Sequence, residues 1–413
     1  MIKNNQKIPE GWSVKKLGEV FDTTTDYVAA GSFADLRDKV NYLDIPSFAQ
    51  LVRTVDIKNN FNNDGFVYIN QSAYDFLWRV HLDEESIILP NIGANIGEVY
   101  FLSPSKLPYS KSALGPNAIL LRSSKENLFY LYCFCQTTCF RNLLDLIVGA
   151  SGQPKFNKTD LKTIEILLPP LPEQEKIADI LGTWDEAIEK LSNLIEQKKL
   201  LKKGLMQKLL TGKTRLSGFT QPWKEVKLGE ICTMFSGGTP LVSINEYYEN
   251  GNIPFIRSGE ISSIKTELYI TELGLKESSA KMVNIGDLLY ALYGATSGET
   301  AISKIHGAIN QAILCIKSSK IVIKYLYYIL LNRKNIILAK YLQGGQGNLS
   351  ADIIKKLHII IPSDISEQQA IADVLSTADD EINLLNQKLE ALKEQKKGLM
   401  QRLLTGQIRV KVN

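Results

Sequence analysis

The sequence contains two copies of one segment, and this repeat limits what the chain can fold into. The segment EQEKIADIL that begins at Glu173 returns as EQQAIADVL at Glu367, and both copies continue without a gap to KKGLMQ and LLTG. A second match marks the start of each copy, where Trp12 and Trp223 are each followed, after three intervening residues, by KLGE. Because a missed repeat would misassign the whole fold, we interpret the chain as two globular segments, each followed by a long helix.

The middle of each copy has diverged. Only fragments still match, such as RTVDI at Arg53 with RSGEI at Arg257, paired glycines at 93/97 and 294/298, and Gly-Gln at 152–153 and 345–346. A duplicated unit that keeps its ends and varies its middle favours one mechanical task performed on two different targets. The predicted boundaries are globular domains at 1–170 and 216–364, and helical segments at 171–215 and 365–413.

Each copy ends in the heptad spacing of a coiled coil. From Ile371 to Leu403 apolar residues follow in alternating steps of four and three, with Lys396 as the only polar member. This predicts two long helices that bury each other's seams, rather than core helices of separate domains. If they pair antiparallel, the globular units would lie at opposite ends of a rod of roughly 50 Å. The predicted seam residues are Ile177, Leu181, Trp184, Ile188, Leu191, Ile195, Ile371, Leu375, Ile382, Leu385, Leu389 and Leu392.

Signals for the helix ends accompany this pattern. Ser366 and Gln369 have the spacing of a capping box, and Pro172 stands where a first-turn proline is tolerated. Gly212 and Gly406 follow Leu-Leu-Thr as C-terminal stops. Together these features predict an α+β fold with a pseudo-two-fold repeat, in which two mixed α/β domains are separated by an antiparallel coiled coil.

Composition places the chain among ordinary globular proteins. Lys and Arg total 48 and Asp and Glu total 44, so the net charge of +4 excludes only strongly acidic or polybasic proteins. Five cysteines argue against a disulfide-stapled secreted scaffold, and the polar N-terminal residues do not resemble a signal peptide. No apolar run approaches the roughly 18 residues of a membrane span. We therefore expect a soluble, cytoplasmic protein.

Positive charge is concentrated in the distal part of each helix. The first helix carries Lys198, Lys199, Lys202, Lys203, Lys208, Lys213 and Arg215 against Glu196, and the second carries Lys393, Lys396, Lys397, Arg402, Arg409 and Lys411 against Glu390 and Glu394. Contact with phosphates, simple solvation and contact with a partner subunit all remain open as interpretations.

Catalytic and metal-binding motifs were sought and not found. The tripeptide GKT at 212–214 lacks the glycine of a phosphate-binding loop and follows a helix. Cys133, Cys135 and Cys139 lie in an apolar helical run and are predicted to be core thiols. The three histidines are scattered, the paired glycines are predicted to form tight turns, and no Asn-Pro-Pro-aromatic tetrapeptide for base methylation is present. We predict a non-catalytic chain without metal.

These motifs resemble a known family. PPLPEQEKIADIL from Pro169, KKGLMQKLLTG from Lys202 and the paired Trp-KLGE starts are similar to the specificity subunit of type I restriction–modification enzymes. The resemblance covers nearly the whole chain. It implies that each globular domain recognises one half of a split, asymmetric site in double-stranded DNA, and that the coiled coil sets the spacer and docks two modification subunits.

The resemblance also implies what the chain itself would not contain. Restriction/translocase subunits would join through the modification subunits, and S-adenosylmethionine, ATP and Mg would be bound by these partners. An orphan DNA-binding protein, a coiled-coil scaffold and a self-sufficient methyltransferase or nuclease remain the alternatives.

Candidate DNA contacts follow from comparing the copies. Positions shared by both copies suit phosphate contact, whereas divergent positions suit base discrimination, with Arg and Lys favouring guanine and Asn and Gln favouring adenine. The shared candidates are Arg53, Arg257, Gln153, Lys155, Gln346 and Asn348. The divergent candidates are Arg37, Lys39, Lys58, Asn59, Asn60, Asn62, Arg79, Lys265, Lys276, Lys281, Tyr293, Asn310 and Gln311.

Overall fold

The computed structural model describes residues 8–148, 154–341 and 348–412. The chain divides into two compact units, Met1–Lys190 with Leu389–Asn413, and Leu191–Lys388. Each unit has an α+β fold, as the sequence predicts. The division assigns one half of each long helix to each unit, rather than separating the helices from the globular parts.

The first copy of the repeat supplies the following elements. Its strands are β1 (Ser13–Lys16), β2 (Thr23–Asp26), β3 (Ala49–Val52), β4 (Val67–Ile69), β5 (Ser86–Pro90), β6 (Tyr100–Leu102), β7 (Ser112–Leu114), β8 (Ala118–Arg122) and β9 (Glu165–Leu168). Its helices are α1 (Leu17–Val20), α2 (Phe33–Lys39), α3 (Thr54–Lys58), α4 (Gln71–Phe76), α5 (Leu128–Cys135), α6 (Thr138–Asp145), α7 (Lys158–Thr163) and α8 (Leu171–Leu209). Short 3₁₀ turns lie at Tyr27–Ala30, Trp78–Val80 and Pro104–Lys106.

The second copy follows the same order. Its strands are β10 (Trp223–Lys227), β11 (Thr233–Ser236), β12 (Ile253–Ile256), β13 (Tyr269–Ile270), β14 (Lys281–Val283), β15 (Leu288–Ala291), β16 (Thr300–Ile302), β17 (Gly307–Ile309), β18 (Ile313–Lys317) and β19 (His358–Pro362). Its helices are α9 (Leu228–Ile231), α10 (Glu272–Lys276), α11 (Ile323–Tyr341), α12 (Ala351–Lys355) and α13 (Ile365–Leu403), with 3₁₀ turns at Asn245–Tyr247 and Ser258–Glu260.

Sheet topology repeats between the units even where the sequences have diverged. The four-stranded sheet β2-β8-β5-β6 corresponds to β11-β18-β15-β16, and the pair β1-β9 corresponds to β10-β19. A further sheet has the order β4-β3-β7 in the first unit and β13-β12-β17 in the second, where β14 adds a fourth strand. In both units this sheet contains one parallel pair, β3 with β7 and β12 with β17.

The ends of the long helices largely follow the sequence signals. Pro172 lies in the first turn of α8, where its missing N–H leaves no helical hydrogen bond unmade. Gly212 and Gly406, which follow the two helices, have φ values of 70° and 71°. The capping box predicted at Ser366 and Gln369 is wrong, because α13 begins at Ile365, two residues before the start that a cap at Ser366 would set. Asp364 caps it instead, and its carboxylate accepts the backbone N–H of Ser366 at 2.8 Å.

Each domain core takes in the ends of both long helices. In the first unit Ile177, Leu181 and Leu403 belong to the same apolar cluster as Phe140, and in the second Ile371 and Leu375 belong to that of Tyr325, joined by Leu209. The first positions of each predicted seam are therefore buried in a globular core. The remaining seam positions are buried or half-buried: Trp184, Ile188, Leu191, Ile195, Ile382, Leu385, Leu389 and Leu392.

The helical segments run antiparallel within each unit. In the first unit Lys396 pairs with Asp185 at 2.5 Å, and Arg409, just beyond α13, pairs with Glu173 at the start of α8. In the second unit Lys202 pairs with Asp379, and Lys198 pairs with Glu381 at 2.6 Å. Residue numbers rise along one segment as they fall along the other.

Candidate nucleic-acid interface

In each unit the strands of the sheet that begins with β2 or β11 meet at one edge. Both β2 and β5 pair antiparallel with β8, so their C-terminal ends lie beside its start, and Asp26 and Leu89 both face Ile119. The ends of β11 and β15 lie beside the start of β18 in the same way. We call the connections that leave these strand ends the loop edge, residues 27–31, 91–99 and 115–117 in the first unit and 237–241, 292–299 and 310–312 in the second.

The paired glycines form tight turns in both loop edges, as predicted. Gly93, Gly97, Gly294 and Gly298 have φ values between 80° and 89°, a left-handed conformation that other residues adopt at a cost. A Cβ atom on Gly97 would lie 1.7 Å from Nη1 of Arg141, and one on Gly298 would lie 3.2 Å from Cγ of Lys334. In each unit the second glycine thus leaves room for a basic side chain from a later helix, α6 in the first unit and α11 in the second.

The segments that follow the shared Gly-Gln dipeptides join these turns. The N–H of Gly93 donates to the carbonyl oxygen of Pro154 at 3.1 Å, and the N–H of Leu349 donates to that of Leu292 at 2.9 Å. Exposed Lys155 lies opposite Ile92 in an isolated bridge, and Asn348 is also exposed. Gln153 and Gln346 lie outside the described residues. Two of the shared candidates therefore lie beside the loop edges.

The shared arginines are bound to carboxylates. Arg53 directs Nε and Nη2 at the buried Asp56 at 3.0 and 2.7 Å, and Arg257 binds Glu260 with two contacts of 3.1 Å. In both cases the carboxylate also accepts the arginine's own backbone N–H and so caps a short helix. Burial alone would raise the pKa of Glu260, but the hydrogen bonds from Arg257 and neighbouring N–H groups lower it to about 2.

The other first-unit candidates differ in their surroundings. Lys58 reaches the glycine turn, where Nζ pairs with Glu98 at 2.6 Å and contacts Asn95 at 3.0 Å. Arg79 stacks over the exposed ring of Trp78, and Asn59 is exposed at the end of α3. Arg37, on α2, is largely exposed and lies 3.5 Å from Asp38.

Of the second-unit candidates, Tyr293 lies in the loop edge and Lys281 lies next to it. Lys281 is opposite Ile309 at the end of β17, with Nζ 5.6 Å from the centre of the Phe235 ring. Tyr293 follows β15, and burial raises the pKa of its hydroxyl while its hydrogen bond with Gln311 acts in the opposite direction. Lys265 is exposed in the connection between β12 and β13, away from these two residues in the chain.

Each loop edge also borders a pocket. The first unit has a pocket of about 390 Å³ between the loop edge and α2, lined by residues that include Phe33, Arg37, Tyr42, Ile92 and Asn117. The second has a more open pocket of about 560 Å³, lined by residues that include Thr239, Val242, Asn245, Arg257 and Asn310. Sequence comparison identified Arg37, Arg257 and Asn310. It missed the other residues because single aromatic or amide side chains in diverged loops carry no pattern.

Comparison with known proteins settles the family. The family model described as the type I restriction modification DNA specificity domain matches twice, at residues 9–197 and 220–394. The chain belongs to the type I restriction–modification DNA specificity family. A similar sequence is that of the type I restriction enzyme MjaVIII specificity subunit of Methanocaldococcus jannaschii, 26% identical over 98% of this chain and 95% of the relative.

Solved structures agree on the fold. The type I restriction–modification S subunit from M. genitalium superposes with a TM-score of 0.59 at 16% identity, over 98% of this chain and 97% of that one. A chain from a study of complex assembly and conformational transition in the type I restriction–modification system gives 0.58 at 17% identity, over 98% and 100%. The duplicated α+β architecture of this specificity-family chain is therefore that of known specificity subunits.

Much of the positive charge on the helices of this specificity-family chain is already paired. Lys198, Lys202 and Arg215 bind carboxylates of the α13 segment, and Lys396 and Arg409 bind carboxylates of the α8 segment. Within the described ranges, the basic residues of these two ends that make no ion pair are Lys203, Lys208, Lys213, Lys397, Arg402 and Lys411. Equivalent positions of the repeat, Lys203 with Lys397 and Lys208 with Arg402, thus keep their charge available.

The cysteines and histidines show no arrangement for catalysis or metal binding among the described residues. Cys133 and Cys135 are buried, and burial raises the pKa of Cys133 to about 12, whereas Cys139 is exposed, contrary to the prediction of a core thiol. His81 stacks on Tyr74 with ring centres 3.7 Å apart.

In the part of the chain that the structure covers, no cluster of three His, Cys, Asp or Glu side chains is placed to hold a metal. No described helix is long and apolar enough to cross a membrane.

Proposed function

We propose that this chain recognises an asymmetric, bipartite site in double-stranded DNA, with each unit contacting one half. The observation that carries the proposal is that both units share one strand order and one loop edge, while the loops themselves differ in sequence. The strand order that the two units share would present two similar surfaces to DNA. The loop side chains that differ between the units would select different bases. The family's description as a DNA specificity domain supports this assignment.

The long helices would fix the separation of the half-sites and dock two modification subunits. Each helix is 39 residues long, and each unit holds a segment of both in antiparallel pairing. Ion pairs at equivalent positions of the repeat fix the register of that pairing, so the helices are suited to set a distance. Exposed basic residues that remain unpaired on both ends are available to partner subunits or phosphates.

We propose that the chain itself is not catalytic. Adenine methylation and restriction would be performed by the modification subunits and by restriction/translocase subunits joined through them. S-adenosylmethionine, ATP and Mg would be bound by those partners. The family description, which names DNA specificity rather than transfer or cleavage, supports this division of labour.

The decisive experiment is to express the chain with the modification subunits of its own system and to map methylated adenines by sequencing. The expected result is one split motif with an unread spacer. Replacing residues 13–168 with the corresponding segment of a relative should change one half of the motif and leave the other half intact. A change in both halves would contradict the division into two readers.

Binding measurements separate the alternatives. The assembled complex should lose DNA affinity steeply as salt rises, because phosphate contacts release counterions. A coiled-coil scaffold would show no salt-dependent DNA binding. A self-sufficient enzyme would methylate or cleave DNA as the purified chain alone, and that result would overturn the non-catalytic assignment.

A further inference from the structure

Each unit has a pocket beside its loop edge. In the first unit the pocket wall includes Ala118, at the start of β8, and Tyr27, just after β2. In the second it includes Asn310, immediately after β17, and Thr239, shortly after β11. All four residues lie in or next to the loop edge. Different elements line the two pockets, chiefly α2 and the connections after β2 and β5 in the first unit, and β12 and the connection after β11 in the second.

In the first unit the pocket presents an unused amide beside an exposed aromatic ring. Asn117 is exposed with φ of 69°, and its carbonyl oxygen accepts the N–H of Asn91 at 3.1 Å, which fixes the backbone. Within the described residues its carboxamide makes no hydrogen bond, so its donor and its acceptor are both available to a ligand. Phe33, which also lines the pocket, is 84% exposed. Its ring is therefore available for contact with a partner.

The second unit offers the same chemistry from different positions. Asn245 lines the pocket with a carboxamide that makes no hydrogen bond among the described residues, and Val242 beside it is 74% exposed. The loop that carries both is held in place, because the hydroxyl of Tyr248 donates to the carbonyl oxygen of Pro240 at 2.6 Å. Asn245 comes from the connection after β11, whereas Asn117 comes from the connection before β8.

Charge at the first pocket favours nucleic acid as its occupant. Arg37 lines the first pocket with its side chain 82% exposed, and Lys155 is exposed beside Ile92 on its wall. The acidic residue on that wall, Asp26, is neutralised by Lys158 at 2.7 Å. A carboxamide that can both donate and accept suits the major-groove edge of adenine, and an apolar contact suits the methyl group of thymine.

We propose that each pocket receives base edges of its own half-site, with the carboxamide of Asn117 contacting a base in one half and that of Asn245 contacting a base in the other. This inference rests on the proposed function, because it locates within each unit the surface that discriminates sequence. On this assignment Phe33 and Val242 make the apolar contacts with the bases beside each amide. The loop edge of each sheet then contacts bases, whereas the opposite ends of the strands do not.

The test uses the full chain co-expressed with its modification subunits, with methylated adenines mapped across the genome. Asn117→Gly removes the amide and suits the left-handed backbone, and Asn245→Ala removes the other amide. Each should relax discrimination at one base of one half-site by about tenfold, the effect of losing a bidentate contact. Lys125→Ala and Lys320→Ala, at the opposite edge of each sheet, are the matched controls and should leave the motif unchanged.

The possible results distinguish failure of the proposed function from failure of the pocket assignment. If the unmodified complex yields no split motif, the proposed function fails and this inference fails with it. If the split motif appears but both Asn variants reproduce it unchanged, the pocket assignment is overturned and the proposed function stands. If Asn117→Gly abolishes methylation, DNA competition with the purified complex decides the matter. A loss of affinity confined to the cognate half-site supports the assignment, and an equal loss on all DNA overturns it.

Discussion

Arg409 forms two charge-assisted hydrogen bonds with the buried carboxylate of Glu173, at 2.7 and 2.8 Å. The indole N–H of Trp12 donates to the same carboxylate at 3.1 Å. The second unit repeats this arrangement, with Arg215 bonded to Glu367 at 3.0 and 2.7 Å. The two ion pairs occupy equivalent positions of the repeat. In each unit the pair joins the start of one long helix to the segment that follows the other long helix.

We predict that Arg409→Met destabilises the first unit. The substitution keeps most of the apolar length of the side chain but leaves Glu173 buried without its cation, at a cost of about 2–4 kcal/mol in the free energy of unfolding. Urea titration followed by Trp fluorescence measures the change. Arg215→Met should likewise destabilise the second unit, because it leaves the buried carboxylate of Glu367 without its cation.

A double variant separates charge from packing in this prediction. Glu173→Gln combined with Arg409→Met removes both charges and should recover part of the lost stability, since no buried carboxylate is then left unpaired. Lys411→Met, on an exposed residue of the same segment, is the control. Equal stability of Arg409→Met and the unmodified chain would contradict the role assigned to this pair.

Glu260 should make stability depend on pH in the acidic range. Its pKa falls from 4.5 to about 2 on folding, so its contribution is complete above pH 4.5 and is lost as the pH drops towards 2. Glu260→Gln should therefore lower the free energy of unfolding at pH 7 by about 1–2 kcal/mol, after allowance for solvent screening at the half-exposed Arg257. The difference between the two proteins should vanish below pH 2. Glu267→Gln, on an exposed partner of Arg257, should change little.

Charge reversal should test the pairing of the helical segments. Lys396→Asp places two carboxylates together at the position where Asp185 accepts Nζ at 2.5 Å, and should cost about 2 kcal/mol in unfolding free energy. Adding Asp185→Lys should restore most of that loss. In the second unit, reversing Lys202 and Asp379 should restore less, because the hydroxyl of Tyr328 also donates to Asp379. No recovery in the first unit would count against the pairing.

Shortening both helices should shorten the recognised spacer. Deleting residues 190–196 and 384–390 removes one heptad from equivalent positions, about 10 Å at 1.5 Å per residue. Methylation mapping should then show the same two half-sites separated by about three fewer base pairs, at 3.4 Å per pair. Deleting the heptad from α8 alone should abolish modification, because the seams would no longer match. An unchanged spacer would refute the proposal that the helices set the distance.

The sequence predicted the duplicated architecture because the repeat keeps its helices and the residues that anchor them. The heptad steps gave the seam residues from Ile177 onwards, and the glycines at 93/97 and 294/298 predicted turns that only a left-handed backbone forms readily. It did not reveal that Ile177, Leu181, Ile371 and Leu375 serve a globular core. Apolar spacing shows which side of a helix is buried and not what buries it.

Side-chain partners were less predictable than elements. Arg53 and Arg257 matched between copies and suggested phosphate contacts, but matching also follows from a shared need to cap a helix through Asp56 and Glu260. Asn117 and Asn245 escaped notice because they come from different connections and reach their pockets only through the fold. Alignment of the two copies detects residues at equivalent positions. Asn117 and Asn245 are not at equivalent positions, so only the folded structure shows that each lines a pocket.

The closure of the first unit by residues 389–411 has a consequence for synthesis on the ribosome. The second unit is a single stretch, Leu191–Lys388, and all the residues that it needs have been made before α13 is finished. The first unit starts earlier in the sequence but lacks Leu403, Leu404 and Arg409 until translation has passed the whole of the second unit, and closing so long a loop is entropically costly. The unit whose translation starts first is therefore completed after the other, and a message cut short before codon 389 would yield an intact second unit and an incomplete first one.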